Sequence, residues 1–212
     1  MHIVVAGNIG SGKTTLTTML SKHYGWLPQF ESVVDNPYLE DYYKDIKRWS
    51  FCLEVYFLQQ RFKDMLAISK TDKTVIQDRS IFEGVHVFAA NNQAQGNMSE
   101  RDFQTYMDLF DLMTRVTRTP DLMIYLRCSV PHLIGNISKR GREYEQSIKL
   151  DYLEGLNKRY EEFVYFNYPG RVLTIEADDL DFLNRPEDFQ YITDKIDRLL
   201  YGLFSEGEFK GR

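Results

Sequence analysis

Residues 3–20, IVVAGNIGSGKTTLTTML, decide the fold. Ile3-Val4-Val5-Ala6 is a short β-branched run of the kind that forms a buried parallel strand. Thr14 to Leu20 reads as helix, with Leu16 and Leu20 one turn apart. Between them, Gly7-Asn8-Ile9-Gly10-Ser11-Gly12-Lys13-Thr14 fits G-x-x-x-x-G-K-[ST], the phosphate-binding loop in its required strand–loop–helix context. Its glycines let backbone N–H groups converge on a polyphosphate, and the helix N-terminus adds a positive dipole end. The stretch from Gly7 to Thr15 is therefore expected to hold a nucleoside triphosphate. Lys13 would reach its outer phosphates, and the Thr14 hydroxyl would ligate Mg²⁺. A glycine-rich turn that binds nothing is the bland alternative, which the flanking strand and helix argue against.

A length of 212 residues suits one α/β domain, expected over 1–204 with a polar tail over 205–212. A net charge of −5 leaves no broad basic surface for a nucleic-acid polymer. Cys52 and Cys128 read as free thiols of a reducing compartment, and the four histidines show no zinc spacing. No apolar stretch reaches membrane-spanning length, and Met1-His2-Ile3 leads straight into the first strand. A cytoplasmic protein is the expectation.

Further strands are expected at 74–77, 122–126 and 172–175, and a weaker one at 26–30. Helical patterns cover 48–67, 100–117, 131–139, 150–166 and 187–203. Strands alternating with helices predict an α/β fold with a central parallel five-stranded sheet flanked by helices. Ligands in such folds bind beyond the carboxyl ends of the strands. Those ends carry the phosphate loop, Glu31, Asp78-Arg79-Ser80 and Arg127, and a basic run at 139–142 follows.

A carboxylate and an arginine at converging strand ends suit phosphoryl transfer to an alcohol. A carboxylate of pKa ~4 cannot deprotonate a hydroxyl in advance. Glu31 would instead orient the hydroxyl and take its proton late. A solvated Glu31 and a helix-capping Asp78 are the alternatives. Gly141 between Arg140 and Arg142 would allow a loop to close over phosphates, although cations at a helix end also suit its dipole. Glu54, Phe57, Leu58 and Arg61 share a helical face. They read either as a helical salt-bridge face, for which the i, i+7 spacing of Glu54 and Arg61 is geometrically weak, or as a pocket for a base, floored by Phe57.

Over nearly its whole length the chain resembles the deoxyribonucleoside kinases, most closely their bacterial purine branch. The resemblance rests on GNIGSGKT at 7–14, ESVVDNPY at 31–38, RWSF at 48–51, DRS at 78–80 and KRGREYE at 139–145. It implies the P-loop kinase fold with a short lid. It also implies ATP-dependent phosphorylation of a deoxynucleoside 5′-hydroxyl, with Glu31 as general base, Arg79 as its partner and Asp78 beside Mg²⁺. Arg140 and Arg142 match lid arginines, and Tyr43 and Glu145 match a grip on the deoxyribose 3′-hydroxyl. Glu83 and Phe88 join the substrate side, and a loop at Asp181-Phe182 would contact the donor adenine. A homodimer built through helices and feedback inhibition by an end product are implied too.

Three departures stand out: Glu54 for a base-reading glutamine, Gly84 for an aspartate, and Asn136 for an arginine near the lid. Deoxyadenosine is the expected substrate, with deoxyguanosine second and a deoxycytidine-preferring or broad-range enzyme as the alternative. A regulatory nucleotide switch is a rival of another class, but a sugar grip would serve it little. A nucleoside monophosphate kinase is nearer, yet Glu31 would repel a dianionic acceptor.

Overall fold

The computed structural model describes residues 1–31, 36–141 and 148–202. Five strands form one parallel sheet: β1 (His2–Gly7), β2 (Leu27–Gln29), β3 (Val75–Asp78), β4 (Leu122–Arg127) and β5 (Val172–Glu176), in the order β2-β3-β1-β4-β5. The helices between them are α1 (Lys13–Tyr24), α2 (Leu39–Lys44), α3 (Ile46–Ile68), α4 (Ile81–Glu83), α5 (Ala90–Ala94), α6 (Glu100–Thr114), α7 (Val130–Arg140), α8 (Leu150–Glu162) and α9 (Pro186–Tyr201). A π-helical stretch, Gly84–Ala89, joins α4 to α5, and another, Phe163–Asn167, follows α8.

The sheet is hydrophobic on both faces, and successive side chains divide between two cores. Ile3, Val5, Leu122 and Ile124 pack with Leu16 and Leu20 of α1 and Ile192 and Ile196 of α9. Ala6, Met123 and Tyr125 pack with Leu58 of α3, Val85 of the π-helical stretch, and Leu156 and Tyr160 of α8. The strands fall where the sequence predicts them, to within a residue or two. Two helical regions were not anticipated, α2 and the run from Ile81 to Ala94.

Register sets up the site. Val5 pairs with Asp78 and Gly7 with Leu126, which brings the ends of β1, β3 and β4 level at one edge. Among the described residues no helix is long and apolar enough to cross a membrane. Cys52 and Cys128 are free thiols.

Candidate active site

The loop after β1 folds as its glycines require. Gly10 and Gly12 adopt φ of 86° and 89°, in the left-handed region that side-chain-bearing residues rarely enter. A Cβ at Gly10 would lie 2.8 Å from the Leu133 carbonyl oxygen, and one at Gly12 would lie 3.0 Å from Phe182 Cζ. No side chain caps α1, and its first turn holds no acidic residue, so its N-terminal end is suited to an outside anion. Asn8 is buried and ties the loop to α8, donating to the Leu153 carbonyl at 3.1 Å and to Asn157 Oδ1 at 2.6 Å. Lys13 Nζ donates to the Asn8 carbonyl at 2.8 Å. Burial pushes the Lys13 ammonium down to about 8, and the Arg79 charge adds to this.

Two clefts meet at this loop. Gly10, Lys13, Thr14 and Arg140 line both. The first cleft runs toward Glu31, Tyr43, Glu54 and Arg61; the second runs toward Asn136 and the 177–185 loop with Asp181 and Phe182. Two ligands placed end to end would meet over Lys13. In the second cleft, Phe182 packs against Gly12 and is buried, while Asp181 accepts from the Asn184 backbone and side chain. Asn136 donates to the Gly10 carbonyl at 2.9 Å, so it ties α7 to the phosphate loop.

Thr14 Oγ1 donates to Asp78 Oδ2 at 2.5 Å, and both residues line the first cleft. Such a pair of hard oxygen donors fits Mg²⁺, which commonly takes one or two protein oxygens and completes its shell with phosphate and water. Among the described residues no group of three or more His, Cys, Asp or Glu forms a self-sufficient metal site.

Glu31 stands between two arginines. Arg61 Nη2 forms a short ion pair with Glu31 Oε1, and Arg79 Nη1 lies 3.8 Å from Glu31 Oε2. Burial alone would raise the Glu31 carboxyl, but Arg61 and Arg79 outweigh it and hold the group below its ordinary value. Each arginine lies near an aromatic face, Arg61 5.0 Å from the centre of Phe57 and Arg79 4.3 Å from that of Phe88. Arg79 has φ of 70°, the only positive value at a non-glycine among the described residues. That conformation costs about 1–2 kcal/mol and turns the chain directly from β3 into α4.

Glu83 takes a place other than the substrate wall expected from the sequence. It is 0% exposed and does not line the cleft. Its Oε1 accepts from Tyr160 Oη at 2.7 Å and its Oε2 from the Ser80 N–H at 2.7 Å. As the third residue of α4 it reaches back to cap that helix, and so holds the turn that carries Arg79. Arg61 and Glu54 both line the first cleft but do not pair with each other: Arg61 is committed to Glu31, and Glu54 accepts from Asn92 Nδ2 at 3.1 Å. A Cβ at Gly84 would come within 2.9 Å of both Arg61 Nη1 and Tyr106 Oη, so glycine gives Arg61 its space. Tyr42, Asn92 and Tyr152 complete the buried wall around Glu54 and were not anticipated. Arg142 and Glu145 lie outside the described residues, as does most of the expected lid.

The deoxynucleoside kinase family model matches residues 3–201. The chain is 38% identical to a deoxyadenosine/deoxycytidine kinase of Bacillus subtilis, over 94% of this chain and 93% of that protein. It is 36% identical to a deoxyguanosine kinase of the same organism, covering 93% and 97%. Among solved structures, M. mycoides deoxyadenosine kinase with bound dATP superimposes with a TM-score of 0.83 at 34% identity, covering 93% of this chain and all of that one.

Proposed function

The chain belongs to the deoxynucleoside kinase family, and on that premise we propose that it transfers the γ-phosphoryl group of ATP to the 5′-hydroxyl of deoxyadenosine, with deoxyguanosine the next-best acceptor. The observation that carries the reading is the position of Glu31: a carboxylate kept ionised by two arginines, in the same cleft as Lys13 and Thr14. Glu31 orients the 5′-hydroxyl and accepts its proton as the new oxygen–phosphorus bond forms and the β–γ bridging bond breaks, releasing ADP. Lys13 and Arg79 meet the charge on the moving phosphoryl oxygens, with Arg140 entering from the end of α7. Mg²⁺ held by Thr14 and Asp78 would neutralise phosphate charge. Phosphates rest on the backbone from Gly7 to Thr15, and the adenine of ATP lies in the second cleft near Asp181 and Phe182.

In the acceptor cleft, Tyr43 holds the deoxyribose while Glu54, Phe57, Arg61 and Phe88 surround the base. Deoxycytidine is the second reading, favoured by one observation. Glu54 would meet an exocyclic amine beside a ring nitrogen, an edge that cytosine shares with adenine. We further read the enzyme as a cytoplasmic homodimer serving deoxynucleotide salvage. The test is stoichiometry: ADP and a nucleoside 5′-monophosphate should form one for one when ATP, Mg²⁺ and deoxyadenosine are supplied. ADP release at the same rate without nucleoside would refute it.

A further inference from the structure

Glu54 is a buried carboxyl without a cation of its own. It is 3% exposed, lines the acceptor cleft, and lies in no ion pair among the described residues, because Arg61 on the same helix is engaged by Glu31. A polar relay reaches it from behind. Tyr42 Oη donates to Asn92 Oδ1 at 3.1 Å, which leaves the Asn92 amide nitrogen to donate to Glu54 Oε1 at 3.1 Å. Glu54 Oε1 is thereby fixed as an acceptor. A proton carried by this acid must sit on the other oxygen, Oε2.

Resting on the proposed function, we propose that Asn92 is a positioning residue for base choice, setting Glu54 to offer one acceptor and one donor when neutral and two acceptors when ionised. The neutral edge is complementary to an amine beside an unprotonated ring nitrogen, as in adenine and cytosine. The ionised edge is complementary to two adjacent N–H donors, as in the ring N–H and amine of guanine. A buried edge that mispairs leaves polar groups unsatisfied and discriminates strongly. The same pocket therefore reads two purines, and one proton chooses between them.

Burial pushes the Glu54 carboxyl up to about 8, while Arg61 and then Arg79 draw it back down. The other titratable groups that act with it are Glu31 after β2, Tyr42 of α2, Tyr106 of α6 and Tyr152 of α8. Glu31 opposes ionisation, and the tyrosines stay neutral because burial raises all three.

The test compares kcat/KM for deoxyadenosine and deoxyguanosine from pH 6.5 to 9.5 at saturating ATP and Mg²⁺. Groups that serve the phosphoryl cancel in the ratio. The deoxyadenosine-to-deoxyguanosine ratio should fall about tenfold or more, with its midpoint near pH 8. Glu54→Gln cannot ionise, so its ratio should stay flat, and it also controls for titration of the bases themselves. Asn92→Leu removes a donor to the anion and should move the midpoint to higher pH. Where that variant does not fold, Asn92→Ser, too short to reach Glu54, carries the same expectation. A flat wild-type ratio, an equal fall in Glu54→Gln, or an unmoved midpoint in the Asn92 variants would overturn the inference while the kinase reading stands. Absence of phosphorylation of any deoxynucleoside at every pH would overturn the proposed function itself.

Discussion

The phosphate loop and the acceptor cleft share Lys13 and Thr14 but are built on opposite principles. The loop is contiguous: its contacts come from one stretch of backbone, and its shape is dictated by glycines at φ values that other residues avoid. The acceptor cleft is convergent. Its wall takes Glu31 from after β2, Tyr42 and Tyr43 from α2, Glu54 and Arg61 from α3, Arg79 from the end of β3 and Tyr152 from α8, with Asn92 of α5 bonded to Glu54 from behind. In the proposed function the loop works through backbone N–H groups, and at Gly10 and Gly12 its φ values and close neighbours leave no room for a side chain. The cleft works through buried charged side chains whose partners decide what each can do.

That contrast predicts different kinds of damage. The largest effect is expected at Glu31, whose proposed role is to take the hydroxyl proton. Glu31→Gln should lower kcat by about 10²–10⁴ while KM for nucleoside changes far less. A near-normal kcat would place the proton acceptor elsewhere, with Asp78 the next candidate. Lys13→Ala should cost about 10²–10³ in rate with an unchanged melting temperature, because in the proposed function the lysine serves phosphate rather than the core. Wild-type turnover in that variant would break the assignment of the loop.

Packing in the cleft gives a smaller effect. Gly84→Ala pushes a methyl group into Arg61 and Tyr106 and should destabilise by about 1–3 kcal/mol, read as a lower melting temperature. An unchanged melting temperature would mean that Arg61 has free space there.

Per pH unit, the smallest effect is electrostatic. The folded-state value of Glu54 lies above its ordinary one, so the native state holds this proton more tightly than the unfolded chain does. Its penalty is absent below about pH 4.5, grows by about 1.4 kcal/mol per pH unit at most, and levels off near pH 8. The melting temperature of Glu54→Gln relative to wild type should therefore rise between pH 5 and pH 8. A constant gap would show that Glu54 is ionised throughout.

How much of this was legible follows the same division. The five strands and the phosphate loop could be read because β-branched runs and a fixed glycine spacing are local signals. Glu31 and Asp78-Arg79 were legible from the strand-end rule. The run from Ile81 to Ala94 was not, because Ile81, Phe82, Val85, Val87, Phe88 and Ala89 are all buried and leave no polar face to mark a helical period. Asn92 was hidden with it. The partners of Arg61 and Glu54 were also illegible. Spacing along α3 puts the two side chains on one face, but Glu31 and Asn92, from other elements, take them apart. Glu83 looked like a cleft residue beside Arg79, and its commitment to Ser80 and Tyr160 exists only in three dimensions.

The most direct measurement is kcat/KM for the four natural deoxynucleosides, side by side at neutral pH with ATP and Mg²⁺. A cleft walled by Glu54, Arg61 and Phe57 predicts deoxyadenosine first and thymidine last, since thymine brings no amine to the Glu54 edge. Thymidine as the best substrate would contradict the account.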